Sequence, residues 1–343
     1  MEFGSWKKDL TSVMPHLQRV ALGEKKVSVL ALNERVALGL PSDRNLAAEV
    51  VKLFRPMKGK ACFAASCIES LSRMGVAPLM GSSFKGNFRG EISWLEDCES
   101  IGFLGCNPGH GLRCVLLSRD SSKEFVVTKL AVEGAHQDVA EEAKKLMQFS
   151  QKFEGVPEVI SLESGDDWSA FSMRHLKDRG PMRLDQDSVI GLLDGWLEEE
   201  FISPVSLPWV NSILQKAPVK LAAAIAEQKV KRSLLHGDFA PWNLRSDRGK
   251  LMAIDWEWGS LDGLGGIDLG HGLLMTGNLV DELRGGELIE SVVTHVGAGP
   301  LKRYLEDCGW ENPNAWLGLA LLYSGSQANL ETKDELKYLE SRL

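Results

Sequence analysis

Residues 234–269 read LLHGDFAPWNLRSDRGKLMAIDWEWGSLDGLGGIDL. The apolar pair Leu234–Leu235 delivers His236, Gly237 and Asp238 into a loop, and Asn243 follows five positions after the aspartate. A turn at Asp247 to Gly249 leads to a second apolar run, Leu251 to Ile254, which ends in Asp255, 17 positions after Asp238. Loops at neighbouring strand ends bring such side chains within reach of one small anion. Phosphoryl transfer is a chemistry that demands this set of groups. The phosphates of a nucleotide are polyanionic and are held through magnesium, a hard octahedral ion that prefers carboxylate and amide oxygens. One further carboxylate must stand ready to take the proton of an attacking hydroxyl. Asp238 suits the base, and Asn243 and Asp255 suit the metal.

The run HGDFAPWN (236–243) followed by IDWE (254–257) resembles the paired motifs of the aminoglycoside phosphotransferase and choline kinase superfamily, relatives of the protein kinases. The resemblance implies an α+β, two-lobed protein-kinase-like fold with a small antiparallel sheet lobe and a larger, mainly helical one. It implies Asp238 as catalytic base, Asn243 and Asp255 as magnesium ligands, and ATP or GTP as co-substrate. It implies a chiefly structural role for Asp268 in the trailing IDLG, and His236 reads as a packed residue that shapes the loop.

Upstream the resemblance continues. FVVTKLAV places Lys129 on a strand, like the lysine that grips the α- and β-phosphates. In the helix of VAEEAKKLMQF, Glu142 is the matching ion-pair partner, with Glu141 as its rival and a solvated helix face as the plain alternative. The turn GCNPGHG (105–111) lies where a phosphate-covering loop belongs, and Gly109 and Gly111 allow backbone N–H groups to approach anionic oxygen. It departs from the protein-kinase glycine pattern, because Cys114 stands where the third glycine would be. Met173 to His175, at the expected seam between lobes, would offer groups to the nucleotide base, so Met173 and His175 join the candidate nucleotide contacts.

Outward from this segment the chain divides into three expected parts. Residues 1–90 form a basic extension with strands near 25–40 and helices near 44–56 and 60–74. Residues 91–175 form a nucleotide-binding small lobe, with strands, a helix near 136–151 and two more strands. Residues 176–343 form a mainly helical catalytic and substrate lobe. The Gly/Ser/Asn-rich stretch GSSFKGNFRG reads as the linker after the extension. The extension holds 14 Lys/Arg against 7 Asp/Glu and the remainder 25 against 40, so the front is +7 and the rest −15. Such asymmetry suits either an extension leaning on the acidic body or one meeting an anionic partner. The opening five residues resemble a cloning scar.

Across 343 residues, 44% hydrophobic and 25% charged composition excludes a disordered or fibrous chain. No apolar run reaches the roughly 18 residues of a membrane span, and no signal peptide is evident, so the expected location is the cytoplasm. The six cysteines lack zinc-site spacing and read as reduced packing thiols. No nucleic-acid partner is expected.

The acceptor is expected to be a small hydroxyl-bearing molecule, a sugar or polyol. Trp242, Trp256 and Trp258 cluster near the motif, where they either face a ring or simply pack the loops. Glu198, Glu199 and Glu200 read as a solvated run at a helix end; an attraction for a cationic acceptor is the sharper reading. An aminoglycoside- or choline-type kinase of a cationic acceptor is therefore the alternative within the fold. From another class, a catalytically silent nucleotide-binding module with a partner-binding extension competes with both.

Overall fold

Alternating apolar residues in the first half of the chain produce one large sheet buried on both faces. The computed structural model describes residues 16–22, 25–32, 36–84, 90–96, 98–105, 112–184, 187–327 and 332–342. The chain divides into two units, residues 1–147 with 157–177, and residues 148–156 with 178–343.

The first unit is built on eight antiparallel strands: β1 (Val27–Ala31), β2 (Ala37–Pro41), β3 (Ser82–Phe84), β4 (Gly102–Gly105), β5 (Leu112–Arg119), β6 (Phe125–Val132), β7 (Ser161–Ser164) and β8 (Trp168–Arg174). Their order across the sheet is β3-β1-β2-β4-β5-β6-β8-β7. The strands of the basic extension and those of the expected small lobe thus share one sheet, joined where β2 pairs with β4. The physical reason lies in the period-2 pattern. Val27, Val29, Ala37, Cys114, Leu116, Leu130 and Val132 pack in one cluster with Leu17, Val20, Ala21, Leu22, Ile92, Leu95, Cys98 and Ile101. Leu38, Leu40, Leu117 and Val127 pack in the other with α1 (Arg44–Leu53). With both faces covered, neither set of strands buries its apolar residues alone. Gly39 marks the join: a Cβ there would stand 2.1 Å from the Phe103 ring, so only glycine admits that side chain.

Asp43 caps α1 by accepting from the N–H groups of Asn45 and Leu46. The helix α2 (Gly59–Arg73) buries only Ala65 and Ser72, and α3 (Ala77–Met80) follows it. The expected linker contributes β3, and residues 85–89 within it lie outside the described residues, as do the β1–β2 turn at 33–35 and part of the 105–111 loop. The short α4 (Ser93–Glu96) and the amphipathic α5 (His136–Phe149) complete the set.

The second unit is mainly helical, as the fold class requires: α6 (Asp187–Asp194), α7 (Pro208–Leu214), α8 (Val219–Ala226), α9 (Ile267–Leu279), α10 (Gly285–Val296), α11 (Gly299–Asp307), α12 (Pro313–Gln327) and α13 (Lys333–Glu340). Two small sheets accompany them. One joins β10 (Leu197–Ile202), β11 (Val230–Leu235) and β14 (Ser260–Leu264); the other joins β13 (Lys250–Ala253), β12 (Leu244–Asp247) and β9 (Asp178–Arg179). Glu198 to Glu200 were expected at a helix end and instead lie in β10. The strand pairs with β11 along one side only, so its other edge tolerates three charged residues. Among the described residues no helix is long and apolar enough to cross a membrane.

Candidate active-site loop and phosphate-type lysine

The HGD loop begins where β11 ends, with Ser233 to Leu235 buried. Gly237 turns the chain with φ +89°, and a Cβ there would lie 2.5 Å from Trp258 Cβ, so both conformation and space demand glycine. The turn is held from behind by Asp268 in the first turn of α9. Its carboxylate accepts from His236 N at 2.7 Å and from Gly237 N at 3.0 Å. Burial pushes the Asp268 carboxyl above the usual carboxylate range, and the His236 side chain and the two N–H groups oppose that rise.

His236 is a strut. Its ring is fully buried, 4.6 Å from the Trp256 ring. Nδ1 accepts from Asp238 N at 3.2 Å, which leaves Nε2–H to donate to Ile254 O at 2.9 Å. One imidazole thereby ties the loop to the end of β13.

Asn243 closes a 3₁₀ turn, Pro241–Asn243. Its Nδ2 donates to Asp238 O at 2.9 Å and to Asp238 Oδ2 at 3.0 Å. Its carbonyl accepts from Ile254 N at 2.8 Å, extending the register in which Leu244 pairs with Ala253. Asp255 is the next residue. Strand-pair spacing plus one peptide step puts its Cα within about 10 Å of that of Asn243. Asp255 is exposed and has φ +70°, a left-handed conformation that aspartate tolerates better than most residues. The Asp238 side chain keeps 36% of its exposure, and Oδ1 lies 3.3 Å from His271 Nε2.

This donor set fits a divalent cation of the magnesium kind. With Nδ2 spent on Asp238, the oxygen Asn243 has to offer is Oδ1, and Asp255 adds a carboxylate. Among the described residues no group of three or more His, Cys, Asp and Glu forms a cage. Few protein oxygens, completed by water and phosphate, is the coordination magnesium favours.

In the first unit, Lys129 lies on β6 and Glu142 on α5. Lys129 Nζ meets Glu142 Oε2 at 2.5 Å, with the side chains 13% and 2% exposed. The rival Glu141 is exposed and pairs with Lys144. Gly109 and Gly111 lie outside the described residues. Met173 pairs across with Val127, on the side of β8 that packs against the core. His175 is buried, donates its backbone N–H to Phe125 O at 3.0 Å, and sets Nε2 3.3 Å from Glu49 Oε2. Its Nε2 and its N–H are therefore engaged within the first unit. Burial resists the charge on Glu49, but hydrogen bonds from His175 and Lys52 hold its carboxyl down at about 2.

Trp256 is wholly buried against His236, Trp196 and Phe149 and packs the loop. Trp258 is 52% exposed beside Gly237. Glu198 pairs with Lys152 at 2.6 Å, Glu199 with Lys231 at 3.9 Å and Glu200 with Arg232 at 3.5 Å.

Sequence reasoning overlooked Glu49, His271 and Ser324. Asp268 and His271 stand at i and i+3 on α9, one helical face, and that spacing was a usable signal for the second of them. Nothing comparable announces Glu49 or Ser324, whose partners lie far away in the chain.

No family model and no curated protein matches the chain. Solved structures similar to it include a thermostable mutant of aminoglycoside phosphotransferase APH(4)-Ia with AMP-PNP and hygromycin B, at 13% identity and TM-score 0.45 over 73% of this chain and 95% of that one. The amicoumacin kinase hAmiN with AMP-PNP, Ca2+ and Ami is similar at 11% identity and TM-score 0.40, over 67% and 86%. The aminoglycoside phosphotransferase APH(3'')-Id of Streptomyces rimosus with ADP and streptomycin is similar at 13% identity and TM-score 0.40, over 61% and 88%.

Proposed function

We propose that this chain is a magnesium-dependent small-molecule kinase that transfers the terminal phosphoryl group of ATP or GTP to a hydroxyl of a sugar or polyol. The observation that carries the reading is the bridge from Asn243 to Asp238, with Asp255 one residue beyond the strand pairing that holds Asn243. The loop after β11 and the end of β13, tied together by His236, would thereby bring a base and two metal-type oxygens together.

The acceptor hydroxyl donates a hydrogen bond to Asp238. As its oxygen bonds to phosphorus, the bond to the β–γ bridging oxygen breaks and the nucleoside diphosphate leaves. The hydroxyl proton passes to the Asp238 carboxylate and from there to solvent. Asn243 Oδ1 and the Asp255 carboxylate would hold magnesium, which when bound neutralises charge on the phosphates. Within the first unit, Lys129 paired with Glu142 is a cation of the kind that suits the α- and β-phosphates of a nucleotide. Trp258, half-exposed beside Gly237, offers an aromatic face of the kind a sugar ring stacks on. Each of Glu198, Glu199 and Glu200 already faces a lysine or arginine, so this run does not favour a cationic acceptor.

The test is a nucleotide-consumption screen with magnesium across neutral sugars, polyols, amino alcohols and aminoglycosides. A neutral hydroxyl acceptor should raise diphosphate formation well above background. Turnover of cationic acceptors alone would overturn the acceptor class, and no stimulation by any hydroxyl compound would count against the kinase reading itself.

A further inference from the structure

His271 has no part in the function just proposed, yet it is the only imidazole among the described residues hydrogen-bonded to the Asp238 carboxylate. It lies on α9, one turn after Asp268, and is 1% exposed. Nδ1 is 3.0 Å from Ser324 Oγ on α12, and Ser324 is itself fully buried. The Ser324 hydroxyl also lies 2.8 Å from Ala320 O, so the serine is anchored to its own helix as well as to the ring. Tyr323 stands edge-on to the ring at 5.9 Å and closes it in. The imidazole is thus fixed in plane and depth by a helix, and its remaining nitrogen faces Asp238 Oδ1 at 3.3 Å.

The other carboxylate oxygen is held by a different element. Asp238 Oδ2 accepts from Asn243 Nδ2 at 3.0 Å. The group is therefore gripped at one oxygen by the α9–α12 pair and at the other by the loop itself. A half-exposed aspartate on a turn would otherwise rotate about two side-chain bonds, and reaction rates fall steeply when a base is misplaced by about an ångström. A buried histidine that only needed satisfying could have spent its second nitrogen on a neighbouring backbone carbonyl, as His236 does with Ile254. This one reaches out of the core to a partly open side chain.

We propose that His271, backed by Ser324, is a positioning residue that sets the orientation in which Asp238 meets the acceptor hydroxyl. The inference rests on the kinase reading and adds to it a residue outside the recognisable motif. The test uses the full chain with magnesium and ATP, water serving as acceptor in the slow background reaction. His271→Leu should lower diphosphate formation about 10- to 100-fold, while the KM for ATP stays within about threefold. His271→Gln, whose amide nitrogen can still reach Oδ1, should recover to within about tenfold of wild type, and Ser324→Ala should lose about threefold. Wild-type rates in His271→Leu, or equal rates in the Leu and Gln variants, would overturn the proposal. A second measurement needs no turnover: nitrogen-15 spectra of the imidazoles, in which Asp238→Asn should move His271 Nε2 and Ser324→Ala should move Nδ1. A His271 ring indifferent to Asp238→Asn overturns the proposal even in an active enzyme. The expected shifts in a protein that consumes no nucleotide would sustain the His271–Asp238 coupling and sink the kinase reading instead.

Discussion

The Lys129–Glu142 pair and the Asp238 loop hold charge in opposite ways. Lys129 and Glu142 stand on a regular strand and a regular helix, and both are nearly buried. Regular secondary structure fixes them, and each offsets the other's charge, which lowers the cost of burying either. Asp238, Asn243 and Asp255 stand on a glycine turn, a 3₁₀ turn and a left-handed residue, and two of the three remain open to solvent. Nothing apolar can hold an open carboxylate, so a second layer of polar groups does it: Asp268, His236 and His271. The open charges depend on a buried polar scaffold, whereas the buried pair is held on regular secondary structure.

Breaking the scaffold should therefore have the largest effect. Asp268→Ala leaves two buried backbone N–H groups without an acceptor and should cost about 4 kcal/mol in urea unfolding. A loss under about 1 kcal/mol would mean that the loop holds its shape without α9. On the other side of the comparison, Glu142→Gln removes the charge facing the Lys129 ammonium in a mostly buried site and should cost about 3 kcal/mol, measured in the same way. If that loss proves as small as for an exposed pair such as Glu141–Lys144, the contrast between the two regions disappears.

Gly237→Ala sharpens the comparison because it alters the turn without touching a polar group. A left-handed backbone and a Cβ 2.5 Å from Trp258 Cβ should together cost about 2 kcal/mol. The thermal midpoint should drop accordingly, and an unchanged midpoint would show that the turn can relax. The smallest effect belongs to Glu49. Its carboxyl is held at about 2 in the folded state, below its unfolded value, so the stability it contributes is present above pH about 4.5 and lost as the pH falls towards 2. Allowing for solvent screening, wild type should lose about 1 kcal/mol more than Glu49→Gln across that window. Parallel acid-unfolding curves would remove the Glu49–His175 contact from the account.

Much of this was readable in the sequence, for physical reasons that differ by element. β1, β2, β5, β6 and α1 announce themselves through apolar runs and periodicity, because each buries apolar residues in a core. β10 does not: LEEEFI hides a strand behind three charges that only an unpaired edge can carry. That the basic extension continues the sheet was equally hidden, since alternation shows that a strand has a buried face and not which strand it pairs with. In the site, the HGD loop, its asparagine and Asp255 were visible as a motif, and the Lys129–Glu142 pairing was visible through the family resemblance, with Glu141 as its rival. The contacts that brace them were not. His271 reaches Asp238 across 33 positions and Glu49 reaches His175 across 126, distances over which local pattern carries no information.

The central claim is that Asp238 acts on the acceptor while Asp255 holds the metal of the nucleotide. Calorimetric titration of magnesium–ATP into wild type, Asp238→Asn and Asp255→Ala tests it most directly. Asp238→Asn should bind like wild type, and Asp255→Ala should bind at least roughly tenfold more weakly. Equal affinity of Asp255→Ala and wild type would contradict it.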